Sequence, residues 1–198
     1  MDDYPHSDEM HDRQAGRGIT IQVVAVDLGM FLPDFLRENN ASALSAGAFQ
    51  ELCACHERWS RELACVRATM NAGQATAREL LFIFLPHTVE EYVAEAWRRS
   101  PSRGYLLHNL AQALCRAALG KLLPKVGERD CAPLPKLTPA EAGALNLAIA
   151  ARLREDAACP PACFGPGASI RAYSLLTYYP YIGGCEVCSL REGCPQLR

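Results

Sequence analysis

Residues 41–71, ASALSAGAFQELCACHERWSRELACVRATMN, carry an apolar stripe typical of a long helix. Apolar side chains and one histidine recur at steps of three to five residues, which places them on one helix face. They are Leu44, Phe49, Leu52, His56, Trp59, Leu63, Val66 and Met70. The pattern predicts one helix from Ala41 to about Asn71, with Gly73 as its stop.

Other segments around this stretch carry helical or strand signals. Helices are predicted over 75–85, 88–99, 105–119 and 138–157, with a shorter one over 28–38. Thr88 and Thr138 each precede a glutamate by three residues, which is the capping-box pattern of a helix start. β-branched residues predict strands over 19–26 and 169–179. The predicted fold class is mainly α, a helical bundle of about five helices with one or two short strands.

Composition changes along the chain suggest three parts. Residues 1–18 are polar and acidic and are predicted to be a disordered N-terminal tail. Residues 19–157 form the predicted helical body. The turn-rich sequence from Cys159 to Gly167 then opens a small C-terminal cysteine cap, residues 158–198.

Composition also limits the possible partners and compartments. The chain has 198 residues, 49% of them hydrophobic, and a net charge of −2, which suits one domain with its own core. The acidic start does not resemble a secretory signal, and no apolar run approaches the roughly 18–20 residues of a membrane span. We therefore expect a cytoplasmic protein that does not contact membranes. The charge disfavours nucleic acid as a partner, and another protein or peptide is expected instead.

Ten cysteines are many for a cytoplasmic chain, and in a reducing compartment they suggest metal binding or redox chemistry. Cys65 and Cys115 lie among apolar neighbours and are expected to be buried thiols. Cys53 and Cys55 point to different faces of one predicted helix. Cys53 and His56 have a spacing compatible with a metal, although a hydrogen-bonded core histidine is the preferred interpretation.

The strongest chemical signal is the spacing Cys185-x2-Cys188-x5-Cys194 near the C-terminus. Two intervening residues let both sulfurs turn toward one metal centre, and Gly183-Gly184 permits the backbone turn before them. A fourth ligand is expected from Cys159 or Cys163, with Cys131 left open. A [4Fe-4S] cluster is the first choice of cofactor and zinc the second, because the second spacing is five residues and the cap has no histidine. A redox-active dithiol is the competing interpretation.

This spacing resembles the cluster-binding cysteines of WhiB-type regulators and of CRISPR-associated RecB-like nucleases. The resemblance covers residues 185–194 only. It implies cluster ligation by Cys185, Cys188 and Cys194 with one remote cysteine, and nothing more, because the nucleases' catalytic acidic and lysine residues have no counterpart here.

Three functions are consistent with this pattern. The preferred one is a cytoplasmic accessory or maturation protein that carries an iron–sulfur or zinc site. The alternative is a non-catalytic, protein- or peptide-binding partner subunit of a larger enzyme complex, with a purely structural metal. A cluster-based redox-sensing regulator is the third. We find no catalytic constellation in the sequence, so the chain is expected not to be an enzyme.

Overall fold

The computed structural model describes residues 18–29, 31–39, 44–71, 77–129, 131–155, 171–183 and 185–194. The helices among them are α1 (Phe31–Glu38), α2 (Ala46–Glu62), α3 (His87–Arg99), α4 (Pro101–Leu122), α5 (Pro124–Arg129) and α6 (Pro139–Glu155). The strands are β1 (Ile19–Val23), β2 (Ala64–Met70), β3 (Arg78–Phe84) and β4 (Ser174–Tyr178). Residues 1–17, Cys159 and Cys163 lie outside the described residues, so the predictions made for them stay predictions.

The four strands form one antiparallel sheet in the order β1-β2-β3-β4. Its register pairs Ile21 with Ala68, Val66 with Phe82, and Phe82 with Leu176. The predicted fold class is therefore wrong. The chain has a mixed α/β fold built on a sheet, and it is not a helical bundle with one or two short strands.

The predicted helix over 41–71 is wrong in its last part. Helix α2 ends at Glu62, and β2 begins two residues later. In β2, Val66 and Met70 are buried on the same face of the sheet. Residues four positions apart share a face in a helix and in a strand alike, so the apolar stripe ran on across the junction without a break in its spacing.

The predicted helix over 75–85 is also wrong, because residues 78–84 form β3. Leu81 and Ile83 belong to the apolar core on one face of the sheet, and Leu80 and Phe82 belong to the core on the other. Since both faces of this strand are covered, its sequence is an unbroken apolar run without alternation. Such a run looks the same as a segment of buried helix.

Elements with a clear local signal were predicted correctly. Strands β1 and β4 and helices α1, α3, α4 and α6 fall within or close to their predicted ranges. At the start of α6 the Thr138 amide donates to Glu141 Oε2 at 2.8 Å, and the Glu141 amide donates to Thr138 Oγ1 at 3.3 Å. This is a complete capping box. The one predicted at Thr88 is wrong, since α3 begins at His87 with Pro86 as its N-cap.

The sheet lies between two helical layers. Helices α1–α5 pack on one face around Trp59, Leu110 and Leu114, and α6 covers the other with Leu145 and Ile149. Strand β4, which lies within residues 158–198, is hydrogen-bonded to β3 and so belongs to this sheet. Within the described ranges, no helix has the length and the apolar character needed to cross a membrane.

Candidate metal centre

The segment that carries the three C-terminal cysteines, residues 185–194, is called here the cysteine tail. It forms two single-turn 3-10 helices, Cys185–Val187 and Arg191–Gly193. The Cys188 amide donates to the Cys185 carbonyl at 3.3 Å, which closes the first turn over the Cys-x-x-Cys spacing. Gly183 has a φ of +60° just before it, so the prediction that this position needs a positive φ is confirmed.

Residues 131–138, the proline linker, lie against the cysteine tail. The Ser189 amide donates to the Leu134 carbonyl at 2.9 Å, directly after Cys188. On the sheet side, the hydroxyl of buried Thr177 in β4 donates to the Pro133 carbonyl at 3.0 Å. The carbonyls of two neighbouring linker residues thus accept hydrogen bonds from opposite sides, which hold the linker between the sheet and the cysteine tail.

Cys131 stands at the start of this linker, and all three cysteines of the tail affect the pKa of its thiol. Partial burial raises the pKa of the Cys131 thiol, and the charges of Cys188, Cys185 and Cys194 raise it further. A charge has such an effect only over a short distance, because water and salt screen it beyond about 10 Å. The hydrogen bond between Ser189 and Leu134 brings the segments that carry these four thiols together.

The segments that carry these thiols are in contact, but the thiols do not form a finished metal site. No three His, Cys, Asp or Glu side chains within the described ranges form a group that could already hold a metal ion. Cys131, Cys185, Cys188 and Cys194 are all free and half-buried. A donor set made only of thiols suits both zinc and iron–sulfur clusters, so the chemistry of these residues fits the predicted cofactors.

Three of the other four described cysteines differ from these in their environment, whereas Cys53 is also half-buried. Cys55, Cys65 and Cys115 are buried in the apolar core, and burial raises the pKa of Cys65 and of Cys115 to about 12. A thiol held protonated in this way is a poor nucleophile and a poor metal ligand. The prediction that Cys65 and Cys115 are buried thiols is confirmed.

At its Nε2 atom, His56 does not make the hydrogen bond that was expected of it. Its ring stacks on Phe31 with the centroids 5.7 Å apart, and burial lowers its pKa. Its Nε2 atom has no hydrogen-bond partner among the described residues. The neutral ring acts as an aromatic packing group between α1 and α2.

A polar cluster that the sequence did not reveal joins α2, α3 and α4. Tyr92 Oη donates to Glu51 Oε1 at 2.6 Å, and Arg103 Nε donates to Glu51 Oε2 at 2.7 Å. The hydrogen bond from Arg103 is the main cause that lowers the pKa of Glu51. Burial, followed by the Glu51 hydrogen bond, raises the pKa of Tyr92 to about 12. The three side chains satisfy one another, which indicates a structural network that ties three helices together.

Arginines near the α3–α4 junction are likewise paired. Glu95 accepts hydrogen bonds or ion pairs from Arg98 and Arg99, each at 2.7 Å. Arg103 is bound to Glu51, as described above. Each of these three arginines is therefore paired with a neighbouring carboxylate.

Comparison of the chain with protein-family models, with curated proteins and with solved structures found no match.

Proposed function

We propose that the chain is a cytoplasmic accessory or maturation protein whose cysteine tail binds an iron–sulfur cluster or, as second choice, zinc. The observation that carries this proposal is the contrast between two groups of thiols. Cys55, Cys65 and Cys115 pack as core residues, whereas Cys185, Cys188 and Cys194 are half-buried on a segment outside the sheet and the α-helices. Packing explains the first group and gives no reason for the spacing of the second.

The position of the cysteine tail suits exchange with another protein. Three apolar side chains beside the thiols are exposed, namely Ile182 (53%), Val187 (41%) and Leu190 (57%). We infer that these side chains belong to a surface for a partner, since contiguous exposed apolar patches commonly mark one. When bound, a cluster supplies one-electron chemistry or can be passed on, while zinc supplies a structural crosslink.

Metal analysis of protein purified without oxygen tests this proposal. We expect iron with sulfide, or zinc, in wild-type protein, and loss of that metal in Cys188→Ala. Cys53→Ala is the matched control, because Cys53 is also a half-buried thiol but lies on α2. Folded wild-type protein that carries no metal and takes none up on reconstitution would refute the proposal.

The exposed apolar side chains also favour a second candidate, a non-catalytic partner subunit with a purely structural metal. The Cys188→Ala variant separates the two. In a partner subunit, the variant loses stability but keeps its partner. If the chain is a maturation protein, the variant no longer supports the activity that its partner gains from the transferred metal or electrons.

A further inference from the structure

The proline linker and the cysteine tail are joined at a point close to cysteines on both sides. Leu134, whose carbonyl accepts the Ser189 amide, lies three residues after Cys131. Three residues of extended chain span at most about 10 Å, and adjacent Cα atoms are about 3.8 Å apart. The hydrogen bond therefore brings the segment that carries Cys131 against the segment that carries Cys188, although the two are far apart in sequence.

We propose that Cys131 supplies the fourth thiolate of the metal centre, together with Cys185, Cys188 and Cys194. This inference rests on the proposed function and replaces the sequence-based choice of Cys159 or Cys163. All four are free, half-buried thiols. Among the described cysteines outside the tail, Cys131 alone has a residue nearby in sequence, Leu134, that is hydrogen-bonded to the backbone of the tail.

The sheet holds the proline linker in place, so the linker can form one side of the metal centre. Pro133 and Pro135 are buried, and the Pro133 carbonyl is bonded to the buried hydroxyl of Thr177 in β4. The cysteine tail consists of turns and is not part of the sheet. Metal binding closes the tail onto the linker and thereby fastens the C-terminus beside the start of α6.

The binding step is simple when zinc or cobalt is the probe. One divalent ion forms four metal–sulfur bonds, four S–H bonds break, and four protons leave to solvent. No electrons are transferred. The bound metal then joins the linker, the tail and the sheet edge into one unit, which free thiols cannot do.

Cobalt titration under anaerobic conditions tests the assignment. Co²⁺ bound by four thiolates gives intense sulfur-to-cobalt absorption that weakens when one sulfur is lost. We expect Cys131→Ser to bind Co²⁺ at least about 100-fold more weakly than wild type, since even losing a residue that only supports a ligand costs about 10–100-fold. Cys53→Ser and the double variant Cys159→Ser/Cys163→Ser should keep wild-type affinity and spectrum.

Two results are informative in different ways. Wild-type affinity in Cys131→Ser, with loss in the double variant, would overturn the assignment and leave the proposed function intact. A wild-type protein that binds no Co²⁺ would overturn the proposed function and this inference with it.

Alkylation of the wild-type chain gives a test that needs no variant to fold. With Zn²⁺ present, Cys131 should be protected from iodoacetamide together with the three tail cysteines, while Cys53 reacts equally with and without zinc. Reaction of Cys131 at the same rate in both conditions, alongside protection of the tail, would overturn the assignment.

Discussion

Replacing Gly104 by alanine should destabilise the protein, although alanine is the better helix former. Gly104 lies in the first part of α4, where this helix meets α3. A Cβ atom at Gly104 would stand 2.5 Å from Trp97 Cγ and 2.7 Å from Trp97 Cα. The Trp97 side chain can rotate, but its Cα is backbone, so the two helices themselves must separate.

The expected magnitude follows from two opposing contributions. Alanine in a helix interior is favoured over glycine by about 1 kcal/mol. Inserting a methyl group into a packed contact costs typically about 1–3 kcal/mol, and contact with backbone places this site at the upper end. The free energy of unfolding should therefore fall by about 2 kcal/mol, which lowers Tm by about 4–8 °C for a chain of this size.

Gly120 offers a matched control on the same helix. No heavy atom outside its own helix backbone and chain neighbours lies within 4 Å of a Cβ built at Gly120. Gly120→Ala should therefore raise the free energy of unfolding by about 0.5–1 kcal/mol. Urea unfolding followed by tryptophan fluorescence measures both variants. If Gly104→Ala is as stabilising as Gly120→Ala, the close packing of α3 against α4 described here is incorrect.

Three further changes probe the polar cluster, the second core and the cysteine tail. Glu51→Gln should lower the free energy of unfolding by about 1.5–3 kcal/mol at neutral pH, because a hydrogen bond to a charged group contributes about that much. Because the pKa of Glu51 is lowered in the folded state, its stabilising effect is full above about pH 4.3 and is lost as the pH falls through the folded value. Urea unfolding of both proteins should show their difference shrinking in acid, and a constant difference down to about pH 3 would contradict this. Leu145→Ala, at a fully buried position of α6, should lose about 2–5 kcal/mol, whereas Leu147→Ala, 66% exposed on the same helix, should change stability by less than about 0.5 kcal/mol. Equal losses in urea unfolding would show that α6 does not cover the sheet as described. Gly183→Ala should weaken Co²⁺ binding roughly tenfold, because a positive φ costs a non-glycine residue about 1–2 kcal/mol, and Gly193→Ala is its control. Unchanged affinity in the first of these two would count against a role for the Gly183 turn.

The sequence predicted elements whose signals are local. The Thr138 capping box lies within four residues, and its two hydrogen bonds form as the pattern requires. The strand at β1 was recognised from its β-branched residues. Such signals do not depend on what packs around them, which is why they survive in the folded chain.

The sheet could not be recognised because its central strands are defined by their neighbours. Strand β3 is covered on both faces, so its apolar run does not alternate, and β2 continued the spacing of α2. Length favoured a strand for 78–84, since seven residues is short for a helix. With these two segments predicted as helices, the only strands left were too few to form a sheet.

The candidate site shows the same division between local and distant information. The spacing of Cys185, Cys188 and Cys194 is visible in the sequence, and the turn at Gly183 forms as predicted. The place of Cys131 depends on the hydrogen bond between Ser189 and Leu134, which are distant in sequence. Nothing in the residues around Cys131 indicates that contact. The Glu51 cluster was missed for the same reason.

X-ray absorption at the metal edge of anaerobically purified or reconstituted protein would examine the ligands of the bound metal without any variant. The proposed centre predicts a first shell made only of sulfur, at about 2.3 Å for zinc, with added iron–iron scattering if a cluster is bound. A first shell dominated by nitrogen or oxygen at about 2.0–2.2 Å would show that the metal is held by other residues, and the functional proposal would then be wrong.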